Sequence, residues 1–212
     1  MKELNSIVVS RLETSSFTVD DIIELMHASF VEHLDEGLHF TCSTMTAEQF
    51  SQRTANSIVF VAYREGEHEL IGTATVTLRR DSGGVIYGYN EYNAVSPNAK
   101  RLGIGSRLLR ERVCVVKAEG GQYIMSDTAV GAHSSVAYHL KNGFRKVGLR
   151  SYPSTNYYSY LFRMQLAPSW KWNSKIYTSA RFLLSSVIVR LVFKADGTET
   201  NIGKILKSVM KR

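Results

Sequence analysis

A chain of 212 residues with 44% hydrophobic and 21% charged side chains can bury a sizeable core and is not disordered as a whole. Its two cysteines, Cys42 and Cys114, lie far apart and fit neither a disulfide framework nor the Cys/His spacing of a structural zinc site, which points to a reducing compartment and no metal. The net charge of +7 is local: residues 1–166 carry 17 Lys+Arg and 17 Asp+Glu, whereas residues 167–212 carry 9 against 2. The N-terminus, MKELNSIVVSRLE, has charges on both sides of a short apolar run and no signal-peptide h-region, so a cytoplasmic location is expected.

Residues 6–13 alternate apolar and polar side chains and predict a strand. Thr18, followed by Asp20 and Asp21, reads as an N-cap with acid in the first turn. It opens a helix whose apolar face is Ile22, Ile23, Leu25, Met26, Phe30 and Val31. A polar connection over residues 37–46 leads to a short helix starting at Thr46. Residues 57–63 and 70–80 are β-rich and form a hairpin around Glu65, Gly66 and Glu67. A further β-rich run, 85–95, stops at a glycine-bearing turn where a helix begins at once. That helix is apolar at Leu108, Leu109, Val113 and Val116, with Arg107, Arg110, Arg112 and Lys117 on its other faces, and Gly120-Gly121 closes it. A strand over 123–127, a helix over 132–141 stopped by Asn142-Gly143, and strands over 144–152 and 156–165 follow. The order β α α β β β α β α β β defines a mixed α/β (α+β) single domain over residues 1–166, with residues 167–212 as an extension.

The turn at Lys100-Arg101-Leu102-Gly103-Ile104-Gly105 sets two glycines at a helix N-terminus, where unpaired N–H groups and about half a positive elementary charge favour an anion. It is not a Walker A loop, which needs G-x-x-x-x-G-K-[ST]. Nor is it a dinucleotide fingerprint, since Leu108 stands at the third glycine position.

Two stretches, AVSPNAKRLGIGSRLL and SVAYHLKNGF, at their observed separation within this element order, resemble the GNAT superfamily of acyl-CoA-dependent N-acetyltransferases. The first is similar to the family's fourth-strand end and its Q/R-x-x-G-x-G/A turn. The second is similar to its A-x-x-F-Y-x-K-x-G-F helix-to-strand element. The resemblance covers residues 5–166 and implies a GNAT fold: a splayed, mostly antiparallel central sheet flanked by helices, with strands four and five parting around the donor. It implies acetyl-CoA as acyl donor, with the coenzyme A diphosphate on the N–H groups of Leu102, Gly103, Ile104, Gly105 and Ser106. Lys100 and Arg101 stand where the family has Gln or Arg, and Val95 would present its backbone to the thioester. The family's tyrosine, the acid that protonates the departing thiolate, falls at His139, with Tyr138 one position earlier. The implied activity is acyl transfer to a primary amine by direct attack in a ternary complex. A GNAT-fold sensor or interaction module that binds acyl-CoA without turnover is the alternative, and a longer acyl donor is a third reading.

Acyl transfer needs a neutral amine, and an amine with a pKa of about 10.4 costs about 4–5 kcal/mol to deprotonate at pH 7. Glu91 is the candidate general base, because strand alternation puts Glu91, Asn93 and Val95 on one face. Asp127 is the second choice. Tyr157, Tyr158 and Tyr160 are candidates for the acceptor side, and by family position so are His39 and Cys42.

In the extension, Ile176, Ala180, Leu183, Leu184, Val187, Ile188 and Leu191 form one apolar helical stripe; Ile202, Ile205, Leu206 and Val209 form a second after a turn at Asp196-Gly197. The first helix is about 27 Å long, but spanning a bilayer would bury Arg181 and Arg190 in hydrocarbon, so a transmembrane segment is rejected. Three partners suit such basic, apolar-striped helices: an anionic membrane surface on the inner face of the membrane, the chain's own domain or a second copy in a homodimer, and, least of all, nucleic acid.

Overall fold

The computed structural model describes residues 7–66, 69–153 and 155–210. Ser6 and Glu67, assigned above to a strand and a turn, lie outside these, as do residues 1–5 of the N-terminal stretch behind the location argument. The strands are β1 (Ile7–Arg11), β2 (Ser57–Arg64), β3 (Leu70–Arg80), β4 (Ile86–Val95), β5 (Tyr123–Ala129), β6 (Arg145–Ser151) and β7 (Tyr158–Gln165). Between them run α1 (Val19–Asp35), α2 (Ala47–Thr54), α3 (Ile104–Ala118) and α4 (His133–Lys141); α5 (Trp170–Asn173), α6 (Lys175–Val192) and α7 (Asn201–Met210) follow. The helix starts are built by local chemistry: Thr18 with Asp21, and Thr46 with Gln49, form reciprocal capping boxes at α1 and α2.

One sheet of order β1-β2-β3-β4-β5-β7-β6 carries the fold. Every neighbouring pair is antiparallel except β4 and β5. On one face α1 and α2 bury Ile22, Met26 and Phe50 against Val61 and Ala94. On the other, Ile104, Leu108 and Val116 of α3 pack on Ala62, Ala74, Val76 and Ile124. The α4 helix lies on this second face, where His139 meets Phe144 and Phe162.

The extension docks in a way its apolar pattern does not foretell. α6 runs along β6, the sheet's edge strand, with Thr178, Phe182 and Ser185 turned inward. Leu149 N–H donates to Ser185 Oγ at 3.0 Å, and the backbone comes so close at Gly148 that a Cβ there would sit 3.0 Å from that oxygen. Farther along, Tyr158 Oη donates to Phe193 O at 2.8 Å. A backbone group that an edge strand would otherwise leave open is thus satisfied by a serine. The stripe Ile176, Leu183, Leu184, Val187 and Leu191 faces outward, opposite the docked face.

Candidate active site

The parallel ladder between β4 and β5 runs from Tyr87–Tyr123 to Asn90–Ser126 and stops there, while β4 continues to Val95 and β5 to Ala129. The sheet therefore opens between its two central strands. The cause lies within β4: Glu91 is opposite Thr75 and Ala94 opposite Thr73, so Tyr92 and Asn93 together face Ala74. This is a β-bulge, and Tyr92 takes a φ of 48°, a sparsely occupied region for a residue with a side chain. Phe50 packs edge-on against the Tyr92 ring at 5.4 Å, and Thr75 Oγ1 donates to Glu91 O at 3.0 Å.

The bulge corrects the alternation argument. Glu91, Asn93 and Val95 do not share a face. Glu91 points to the α1/α2 side, where its carboxylate pairs with Arg79 at 3.1 Å, whereas Asn93 points to the α3 side and accepts from Arg112 Nη2 at 3.1 Å. Ala94 packs with the α1/α2 core and Val95 with the α3 core. The backbone at Val95 has its own geometry. Ser96 N–H donates to Ile71 O at 3.0 Å, which makes Gly72–Val95 a non-hydrogen-bonded pair and turns the N–H and C=O of Val95 away from β3, toward the opening. Ser29 Oγ donates to that carbonyl at 3.1 Å.

At the start of α3, Arg101 and Gly103 both have left-handed backbones, with φ of 69° and 77°. Among the described residues, the N–H groups of Leu102, Gly103, Ile104 and Gly105 make no backbone hydrogen bond, while that of Ser106 is used inside the turn by Gly103 O at 3.1 Å. The four open donors form a concave nest at a helix N-terminus. Ser106 instead ties the turn to α4, donating from Oγ to Asn142 Oδ1 at 2.9 Å. Lys100 pairs with Glu32 of α1 on the surface, and Arg101 is exposed.

The α4 side chains behave differently from the family pattern. His139 is buried and stacked on Phe162 at 4.5 Å. Its Nδ1 lies 2.7 Å from Ser135 O, which can only accept, so Nδ1 carries the proton and Nε2 accepts from Ser126 Oγ at 3.0 Å. Burial depresses its pKa to about 4. At neutral pH the ring has no second proton to give, which corrects the acid role suggested by its place in the motif. Tyr138 reaches the glycine turn: its Oη donates to Gly105 O at 2.9 Å, and a Cβ on Gly105 would stand 3.0 Å from the Tyr138 ring.

Two features escaped the sequence. Arg112, placed above on a polar helix face, is a fully buried side chain that bonds Leu108 O, Asn93 Oδ1 and the Tyr138 hydroxyl. Its spacing held the signal, since 108, 112 and 116 fall on one helical face. Asn90, the last residue before the opening, buries an Oδ1 that lacks a hydrogen-bond partner among the described residues.

On the α1/α2 side two carboxylates lie near each other. Burial raises the pKa of Glu91, against the lowering effect of Arg79 and with a further raise from Asp127. Burial also raises that of Asp127, which accepts from Tyr89 Oη at 2.6 Å. Over them, the loop between α1 and α2 is stitched to the β6–β7 connection: Asn156 bonds both His39 N and Gly37 O, and Phe40 packs on Tyr157 at 4.9 Å. Cys42 is in this loop, its thiol pushed up to about 12 by burial, which makes it inert as a nucleophile. Tyr160, in contrast, packs against Phe182 of the extension and Lys146, away from this group.

The parted strands and the turn with open donors both lie within the stretch that matches a known family. The Acetyltransferase (GNAT) family model matches residues 19–144, and the chain belongs to that family. Solved structures of similar fold include an IAA acetyltransferase from Bacillus cereus ATCC 14579, at 18% identity and a TM-score of 0.56 over 76% of this chain and 100% of that one. A GNAT family acetyltransferase from Elizabethkingia anophelis with acetyl-CoA bound aligns at 16% identity and a TM-score of 0.54 over 76% and 99%. The ribosomal-protein-S18-alanine N-acetyltransferase from Escherichia coli aligns at 14% and 0.57 over 77% and 96%. No curated protein sequence matches the chain.

Proposed function

We propose that this protein transfers an acetyl group from acetyl-CoA to a primary amine by direct attack in a ternary complex. The observation that carries the reading is the β4 bulge. It parts β4 from β5 beside the α3 nest and assigns Glu91 and Asn93 to opposite sides of the parted strand. The residues present suit the donor. The N–H groups of Leu102, Gly103, Ile104 and Gly105 would hold the diphosphate, with Arg101 beside them; Ser106 and Lys100 are spent on Asn142 and Glu32. The unpartnered Oδ1 of Asn90 is a buried acceptor at the start of the opening, suited to an amide N–H of the pantetheine arm. Val95 N–H, turned toward the opening, would donate to the thioester oxygen as negative charge develops.

The acceptor then enters from the α1/α2 side. Glu91, its basicity raised by burial, takes the ammonium proton through water, and Asp127 supports a cationic amine next to it. The amine nitrogen bonds to the carbonyl carbon, the C–S bond breaks, the thiolate leaves with the electron pair, and the second proton of the attacking nitrogen passes to the departing thiolate through solvent. A free thiol has a pKa of about 8.5, so departure needs no acid from His139.

Thiol release from acetyl-CoA in the presence of an amine panel tests the reading. Glu91→Gln should lower kcat by about 10²–10⁴-fold with the donor KM unchanged. Tight coenzyme A binding with no turnover on any amine would assign the protein to the non-catalytic alternative.

A further inference from the structure

We propose that α6 and α7 form a docking surface for an anionic lipid bilayer, lying in the plane of its headgroups. Nine of the twelve exposed large hydrophobic side chains among the described residues are on these two helices, so the apolar surface is local to the extension. On α6 it is the face opposite Thr178 and Ser185: Ile176 is 84% exposed, Leu184 64% and Val187 57%. The helix is already held to β6 by its other face, so this stripe is not waiting to close on its own domain. On α7, Ile202 and Leu206 are likewise exposed, while Gly203 packs against Val192 of α6.

Charge selects the occupant. α6 and α7 carry Lys175, Arg181, Arg190, Lys204 and Lys207 and no carboxylate. A second copy docked through this face about a two-fold axis would set basic rim against identical basic rim. An anionic bilayer supplies the complementary sign and accepts the apolar stripe below its headgroups. Among the described residues no helix is long and apolar enough to cross a membrane, which fits an in-plane arrangement. The inference does not depend on the acyl-transfer reading.

The test is flotation of the full chain with vesicles of phosphatidylcholine alone and of phosphatidylcholine with phosphatidylglycerol, at low and high salt. The wild type should float with the anionic vesicles only, and less at high salt. Leu184→Glu/Val187→Glu should abolish flotation, and Lys175→Glu/Lys204→Glu should weaken it at least about tenfold, since each basic residue contributes separately. All these side chains are exposed, so circular dichroism and thermal melting should match the wild type. Failure to float with anionic vesicles, or equal flotation of the Glu variant, would overturn the proposal. So would a stable wild-type dimer in sedimentation that Val187→Glu dissociates, or retention on arbitrary duplex DNA in place of vesicles.

Discussion

Arg112 of α3 donates to Asn93 of β4 across 3.1 Å, and no carboxylate among the described residues pairs with its buried guanidinium. The bond exists because the bulge turns Asn93 away from the side Glu91 faces. A buried cation held only by neutral acceptors is sensitive to losing one of them, whereas removing the cation itself removes the desolvation cost. Asn93→Leu should therefore cost about 1–3 kcal/mol in urea unfolding, while Arg112→Met should cost no more than about 1 kcal/mol. The reverse order would mean that the guanidinium gains more from its surroundings than these three acceptors supply.

His139 makes stability depend on pH with a definite sign. Its folded pKa of about 4 lies below the ordinary 6.5, so the unfolded chain binds the extra proton first. Its contribution is complete above pH 6.5 and is lost as pH falls through this window toward 4. The wild type should lose about 2–3 kcal/mol more than His139→Phe between pH 7 and pH 4.5, measured by denaturant unfolding. The same variant should keep kcat within a few fold at neutral pH, because the ring is already neutral there.

Glu91 and Asp127 act in the opposite direction. Burial raises both, so the folded state holds their protons longer than the unfolded chain does, and stability falls as pH rises from the ordinary carboxylate range through the folded pKa values. Replacing Glu91 by Gln should flatten that part of the stability profile. It should also remove the acidic limb of the kcat/KM profile, which should lie above the ordinary glutamate range in the wild type.

Gly103 holds a φ of 77° with open space around its Cα. Gly103→Ala should cost about 1 kcal/mol from backbone strain alone, and Gly103→Asn less, since asparagine tolerates this region. The Kd for coenzyme A, read by isothermal titration, should rise with the distortion of the nest.

Ser185→Ala removes the acceptor from the Leu149 N–H of the edge strand and should cost about 1–2 kcal/mol. Hydrogen exchange at Leu149 should accelerate relative to the amides inside the β6–β7 ladder.

The sequence carried most of this architecture, because helix caps, turn glycines and hydrophobic periodicity are local signals. Thr18 with Asp21 and Thr46 with Gln49 are legible three residues apart, and the nest is legible in Gly103 and Gly105. The bulge was not. Nothing about Tyr92 announces a positive φ; the conformation is imposed by Phe50 and Thr75, which are distant in sequence. The placement of Glu91 relative to Val95 failed for that reason. His139 likewise reads as an ordinary titrating group until Phe162 and Ser126 close around it. The extension gave a correct stripe and no hint of its docking face, since one serine meeting one edge amide leaves no periodic trace.

The extra residue at Tyr92 works as a half-period phase shift in β4. Before it, odd-numbered side chains face the acidic side; after it, odd-numbered side chains face α3. A single-residue deletion at 92 would restore strict alternation and still leave Asn93, Ala94 and Val95 on their present sides, opposite Ala74, Thr73 and Gly72. What the extra residue supplies is therefore the path of β4 where it leaves β5, and an engineered deletion there would test the opening of the sheet without exchanging any later side chain between the two sides.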